Sequence, residues 1–260
     1  ITEAGFATDL GAEKFFNIKC RKAGLKPAMS VLVATLQALK LSGGADEGNM
    51  MHPDSASLRT GIRNLEKHIS ILKTFKQKVL VVLNRYESDT EKEIKFLRKW
   101  CEKQQIAFAE NDSFRRGSDG ALEMAKAVVN MCERPSPALR YTYDTYDEIE
   151  TKIRKIVTTI YGGKDVVFYK KAKEMIKKIK ALGLEHLPVC MAKTQYSFTH
   201  DPLISWMAGD FIIDIDDLVI NRGAGFIVAV CGEMVRMPGL PRIPQANFID
   251  VINGKITGVS

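Results

Sequence analysis

Apolar positions change their period several times along this chain, and each change predicts an element. Ser30–Thr35 (SVLVAT) and Lys78–Asn84 (KVLVVLN) are short, continuous, valine-rich runs, the pattern of strands buried on both faces. Between them, Leu36–Leu41 predicts a short helix stopped by Gly43-Gly44, and Ala45–Ser57 reads as a polar, methionine-containing loop. Leu58, Ile62, Leu65, Ile69 and Leu72 then recur at helical spacing, which predicts an amphipathic helix over Ala56–Thr74. After the second strand, Tyr86 and Glu87 form a loop, and Ser88 or Asp89 is expected to cap a helix reaching Lys103. Ile106–Ala109 predicts a short strand, Asn111–Asp119 a polar loop holding Phe114, and Gly120–Cys132 a helix.

Pro135 and Pro137 interrupt this alternation, so the expectation is an α/β region over residues 1–135 and a smaller α+β region over residues 136–260. In the second, Tyr146–Tyr161 and Phe168–Leu182 predict helices separated by Gly162-Gly163. Leu187–Ala192 and Phe226–Gly232 predict strands, and Phe211–Leu218 alternates as a half-exposed strand does. Met237–Pro241 reads as a loop, and Asn247–Ser260 as a hairpin around Asn253-Gly254. Alternating strands and helices imply an α/β fold with a parallel sheet covered by helices. Ligands of such sheets lie beyond the carboxyl ends of the strands, which directs attention to Asn84–Tyr86, Glu110–Phe114 and Lys193–Tyr196.

Composition narrows the functional classes. The longest apolar runs, Val79–Leu83 and Phe226–Cys231, fall far short of the roughly 20 residues of a membrane helix, and no secretory signal opens the chain. The first residue is Ile1, followed at once by TEAGF, which reads as a processing or cloning boundary. Five scattered cysteines with no C-x-x-C pair argue against a disulfide framework and a tetrahedral zinc site, so a reducing, cytoplasmic setting is expected. His52, His68, His186 and His200 lack metal-ligand spacing and read as surface or loop residues; no metal site is expected. The net charge of +7 suits nucleic acid, an anionic membrane or an anionic small substrate. The basic residues are interleaved with acids and apolar positions, without a zinc finger or RNP-type motif, so neither nucleic acid nor membrane is the expected partner.

No G-x-x-x-x-G-K-[ST] or G-x-G-x-x-G occurs, hence no loop to cradle nucleotide phosphates. Gly223-Ala224-Gly225 reads as a turn. No G-x-S-x-G and no catalytic cysteine signature is present, so catalytic residues stay unassigned. From its residues alone, the chain is an α/β protein with an aromatic-flanked crevice at the strand ends.

Longer strings add a resemblance. Thr2–Arg21, TEAGFATDLGAEKFFNIKCR, resembles the formate–tetrahydrofolate ligase segment TEAGFG-x-D-x-G-x-EKF that continues to K-C-R. Val33–Gly44 (VATLQALKLSGG) resembles that family's VAT-[IV]-RALK-x-[HN]-GG, and Asn64–Ile69 (NLEKHI), Met191–Phe198 (MAKTQYSF) and Met237–Pro241 (MPGLP) follow in family order. The resemblance implies the C-terminal half of an ATP-dependent ligase in which formate and ATP give formyl phosphate, whose formyl group passes to N10 of tetrahydrofolate. It implies Mg²⁺ with ATP, activation by K⁺ or NH₄⁺, a P-loop NTPase-like fold whose phosphate loop lies in a missing N-terminal half, and homo-oligomerisation. It places the folate and nucleotide-base crevice in residues 1–135. Tyr86 and Phe114 occupy the positions of the two aromatics that stack on folate in the family, and Phe6 matches an active-site phenylalanine. Glu3, Asp9 and Lys14 match patterned positions without an assigned role; Phe15, Phe16 and the strand valines belong to the core.

Three departures stand out. Ala7 replaces a glycine, which puts a positive-φ backbone or a close ligand approach in doubt; Gln37 replaces the signature arginine; Ser42 replaces His or Asn. The alternative is an isolated folate-binding or assembly domain without catalytic activity, since no phosphate loop is present.

Overall fold

The computed structural model describes residues 1–201, 209–232, 241–252 and 255–258. The chain opens on a helical run, residues 7–23, made of π-helical turns Ala7–Ala12 and Phe15–Cys20 and a closing turn α1 (Arg21–Ala23). Phe16 and Cys20 are buried there, as core residues.

The valine-rich runs form the strands of a parallel sheet. β1 (Ser30–Ala34) pairs in parallel with β2 (Val79–Asn84), and β2 with β3 (Ala107–Asn111), in the order β1-β2-β3. Val79–Leu83 of central β2 is buried throughout. Helices α2 (Leu36–Ser42), α3 (Ser55–Thr74) and α4 (Glu91–Lys103) join these strands. Side-chain caps fix their starts: Thr35 accepts from the Ala38 N–H, and Asp54 from those of Ala56 and Ser57. The cap of α4 is Thr90, not Ser88 or Asp89. Thr90 Oγ1 accepts from Glu93 N–H at 3.3 Å and donates to the Glu93 carboxylate at 2.6 Å, while the Asp89 carboxylate already holds the Tyr86 N–H.

Helices α2 and α3 cross where only glycine fits. A Cβ on Gly61 would lie 1.7 Å from the Leu39 carbonyl oxygen, and one on Gly43 1.8 Å from that of Ser57. The Asn111–Asp119 loop is more ordered than its polarity predicts. It contains a helical turn, α5 (Ser113–Arg116), then a 3₁₀ segment Gly117–Ala121 leading into α6 (Leu122–Cys132). Met124, Val128 and Met131 of α6 pack on Leu80, Val82 and Ala109.

In the second half, α7 (Ile149–Ile156) begins three residues later than its apolar pattern predicts and continues as a π-helical turn, Val157–Tyr161. The delay has a local cause: Asp144 accepts from Tyr146 N–H at 2.9 Å and Asp147 from Asp144 N–H at 2.8 Å, closing a turn instead of a helix. Phe168 ends a strand, β4 (Asp165–Phe168), rather than starting the helix α8 (Lys170–Ala181). β5 (Val189–Ala192) follows as expected.

Phe211–Leu218 is not one strand. It divides into β6 (Ile212–Ile215) and β7 (Asp217–Asn221), which join different sheets. β6 pairs in parallel with β4, while β7 forms an antiparallel hairpin with β8 (Phe226–Val230), which pairs in parallel with β5. Asp216 is the hinge: its N–H reaches the Val230 carbonyl at 2.9 Å and its carboxylate accepts from Gly232 N–H at 2.6 Å. Gly223-Ala224-Gly225 is the hairpin turn, with Gly225 at φ +73° donating to Asn221 O at 2.8 Å.

Near the end, β9 (Asp250–Ile252) and β10 (Lys255–Thr257) pair antiparallel around residues 253–254, which lie outside the described residues. So do residues 237–240 of the Met237–Pro241 loop. One hydrophobic cluster runs from Phe16 through α3 and α7 to Cys231. Among the described residues, no helix is long and apolar enough to cross a membrane.

Candidate functional site

β2 and β3 end level, with Asn84 opposite Asn111, and the Arg85 N–H extends the ladder to Asn111 O at 2.9 Å. Tyr86 therefore leaves the carboxyl edge of one strand and Phe114 that of its neighbour, where open parallel sheets bind ligands. Both rings face solvent, at 44% and 96% exposure. Their backbones are nevertheless tightly held. Tyr86 N–H donates to Asp89 Oδ2 at 2.9 Å, and Asp89 N–H returns to Tyr86 O at 3.1 Å. Phe114 rides on a turn clamped by Asp112, whose two carboxylate oxygens take Arg115 Nε and an Arg115 terminal nitrogen at 2.8 and 2.9 Å. Asp112 N–H reaches Gly120 O at 3.0 Å, and a Cβ on Gly120 would sit 2.3 Å from Asp112 O. An exposed aromatic on a rigid support gives up little freedom on binding.

The side chains around these two strand ends are polar. The Arg85 guanidinium pairs with Glu91 and, at 3.0 Å, with Glu110, which also pairs with Arg98 at 2.6 Å. Arg85 Nε, Asp89 Oδ1 and Asn111 Oδ1 are buried and lack a hydrogen-bond partner among the described residues. Burial pushes the Asp89 carboxyl above the ordinary aspartate range. Gln37, the departure from the signature arginine, reaches Ser88 Oγ at 3.4 Å, so this substitution adjoins the turn that carries Tyr86.

Phe6 is built into a different support. Its ring is 76% exposed, and the helical run that begins just after it is pinned by Thr8 and Asp9. Thr8 Oγ1 and His68 Nδ1 of α3 are 2.6 Å apart, and Asp9 Oδ2 pairs with Lys193 Nζ at 2.9 Å. Lys193, the first residue beyond β5, is fully buried and also donates to Thr194 O and Ser197 O at 3.1 and 2.6 Å, with the Tyr161 ring 4.9 Å below it. Around that ammonium the loop exposes only Gln195 and Tyr196 between Lys193 and Thr199. Burial lowers the His68 pKa, opposed by Asp9 and reinforced by Lys193 and Lys67, so the imidazole is neutral at pH 7. His68 is thus half-buried inside a polar layer, not a surface or loop residue. Glu13 and Asn17 extend the layer: Asn17 donates to Glu13 at 2.7 Å and to Thr142 at 3.0 Å.

Ala7, which stands where the family string has glycine, lies in the left-handed region. Its φ is +60°, so the left-handed conformation survives under a Cβ. Gly11, by contrast, has no freedom, since a Cβ there would meet Gly5 O at 1.8 Å. Cysteine chemistry has no footing in either cluster. Burial raises the thiol pKa of Cys20 and Cys190, and pushes Cys101 and Cys231 up to about 12.

A sequence model of the family described as formate–tetrahydrofolate ligase matches residues 1–260. The chain belongs to the formate–tetrahydrofolate ligase family. Curated ligases of that name agree with it over its entire length: 49% identity for those of Parabacteroides distasonis and Porphyromonas gingivalis, and 47% for that of Campylobacter concisus. The match covers 47%, 47% and 48% of these relatives, so the chain spans about half the length of the curated relatives it matches. Membership accounts for the ordered strings TEAGF, VAT and MAKTQYSF.

Periodicity does not reveal Asp9, His68 and Lys193 as one group. They lie on three segments separated by 59 or more residues in a sequence without a spacing rule to link them. The signal available was that Asp9 and Lys193 fall inside two family strings.

Proposed function

We propose that this chain is the folate-binding part of an ATP-dependent ligase that joins formate to tetrahydrofolate. In the reaction a formate oxygen attacks the γ-phosphorus of ATP, ADP leaves and formyl phosphate forms. N10 of tetrahydrofolate then attacks the formyl carbon and phosphate leaves, giving 10-formyltetrahydrofolate. The part proposed for these residues is binding and orientation: the pterin lies between the rings of Tyr86 and Phe114, over the polar side chains of Asp89, Asn111 and Arg85, with Phe6 at the edge of the same active centre. The carrying observation is the pair of exposed, rigidly mounted aromatics beyond two adjacent parallel strands that end level.

The sequence has no phosphate-cradling glycine loop, so the groups that hold the ATP phosphates, and the P-loop NTPase-like part of the fold, are proposed to lie in an N-terminal half outside these 260 residues. Among the described residues no group of three or more His, Cys, Asp and Glu side chains is placed to hold a metal ion; Mg²⁺ and K⁺ or NH₄⁺ belong to the proposal through the family resemblance. The missing glycine loop also favours a second reading for the chain by itself: a folate-binding or assembly module without turnover. Homo-oligomerisation and a cytoplasmic location complete the proposal.

Calorimetric titration of tetrahydrofolate into the chain tests it. Tyr86→Ala and Phe114→Ala are each expected to weaken binding about fivefold or more, the worth of roughly 1 kcal/mol of lost ring contact. Binding by the folded wild type that is unchanged in both variants removes the pterin from these strand ends.

A further inference from the structure

A cavity of about 350 Å³ lies between the first helical run and the second half of the chain, at the small end of the range that ligand pockets occupy. Its walls owe nothing to the ends of β2 and β3. Phe15 and Ile18 come from the helical run, Cys190 from β5 and Phe226 from the start of β8. Residues 3–5 line it as well, and they are firmly laid there. Gly11 N–H donates to Phe6 O at 2.9 Å, and a Cβ on Gly11 would meet Gly5 O at 1.8 Å. Val189 and Met191 of β5 are buried in the core, so strand alternation leaves Cys190 on the opposite face, in the cavity wall.

The charges in this apolar wall are poorly matched within the protein. Lys14 donates to Leu10 O at 3.2 Å and stands 3.5 Å from Glu13 Oε2, a long contact; its third proton has no acceptor among the described residues. Glu13 is a weak counter-ion, because Asn17 already donates to its other oxygen at 2.7 Å and burial raises its carboxyl pKa. Lys19, 5.2 Å from the Phe15 ring centroid, makes no ion pair among the described residues. Against these two lysines the lining holds one acid, Glu3, which pairs with neither. Two ammonium groups beside aromatic and aliphatic side chains, with one opposing carboxylate, suit a ligand that has a single anionic group and an apolar ring. They do not suit the several charges of a nucleotide triphosphate.

We propose that this cavity binds a small aromatic carboxylate, with its acid group on Lys14 and Lys19 and its ring against Phe15, Ile18 and Phe226. The site is separate from the strand ends assigned to the pterin and does not rest on that assignment. Cys190 is its reporter. The thiol is half-buried in the wall, near enough to Lys14 for that ammonium to oppose the rise that burial gives its pKa.

Thiol protection tests the site, with phenylacetate as the probe and phenylacetamide as its uncharged counterpart. In a Cys132→Ser background, which removes the exposed thiol, Cys190 is labelled by the neutral reagent dithiodipyridine and followed by peptide mass. Phenylacetate is expected to slow labelling in the millimolar range, the affinity that about ten heavy atoms give, and phenylacetamide to need at least tenfold more. Lys14→Gln and Lys19→Gln, each with an unchanged melting curve, are expected to weaken protection by phenylacetate about fivefold to tenfold, the scale of one charge-assisted hydrogen bond. Glu3→Gln, which removes the like charge, is expected to strengthen it about twofold. Equal protection by acid and amide overturns the proposal, since an apolar groove alone does that. So does protection that survives both lysine changes, and so does a native Cys190 that fails to react or reacts at an unchanged rate in phenylacetate. Protection by tetrahydrofolate that is lost with Tyr86→Ala overturns it too, by making the cavity part of the pterin site.

Discussion

Replacing Lys193 by methionine removes the ammonium around which the loop beyond β5 is wrapped. All three of its protons are used within the protein, on Asp9 Oδ2 at 2.9 Å, Thr194 O at 3.1 Å and Ser197 O at 2.6 Å. Both ions are buried, Lys193 fully and Asp9 nearly so. Methionine fills much of the volume but leaves the Asp9 carboxylate without its counter-ion in a medium that solvates it poorly. Breaking a buried pair from one side costs about 3–5 kcal/mol. With a urea slope on the order of 2–3 kcal/mol/M, the midpoint followed by circular dichroism is expected to fall by about 1–2.5 M. Much of that loss is the stranded charge, so Asp9→Asn made on top of Lys193→Met is expected to cost less than the sum of the two single changes, by about 1 kcal/mol or more. A loss below about 1 kcal/mol for Lys193→Met, or strict additivity in the cycle, would refute the reading of this pair as the anchor between the first helical run and the β5 loop.

Other outcomes follow from the same geometry. Ala7→Gly is expected to stabilise the chain by about 0.5–1 kcal/mol, since relief of a Cβ at φ +60° outweighs the added freedom of glycine in the unfolded state; thermal melting reads it. Gly61→Ala drives a Cβ into the Leu39 carbonyl and is expected to cost about 2–3 kcal/mol or more in urea unfolding. Burial depresses the His68 pKa, so as pH falls below about 6.5 the unfolded chain takes up this proton before the folded one. Stability is therefore expected to decline on acidification through that window, and His68→Gln to flatten the decline in a melting series.

The residues predicted to bind folate illustrate how far a linear reading reaches. That Tyr86 and Phe114 follow strands is visible in the sequence, because a valine-rich run followed by polar residues marks a strand end. That Asp89 and Asp112 spend their carboxylates clamping those two turns is not, because Asp near a helix start reads as a cap. The cap of α4 fell to Thr90 for this reason, and the polar 111–119 stretch coiled into a helical turn around the Asp112–Arg115 pair. Around Phe168 the apolar positions fit either period over so few residues that a helix is the expectation, and pairing with β6 decides for a strand.

What the sequence alone determined was local or repeated: the three parallel strands, the amphipathic α3, the turn at Gly223–Gly225, and the ordered family strings. Periodicity carries these because each follows from burying one face or both faces of a single element. Tertiary structure decided which elements meet. It divided the alternating Phe211–Leu218 run between two sheets at Asp216, since strand pairing depends on partners distant in the chain. It gathered Asp9, His68 and Lys193 into one polar layer, and it held Ala7 in a conformation that its side chain disfavours. Charges and strained backbones such as these persist only where surrounding contacts compensate for their cost, and those contacts exist only in three dimensions.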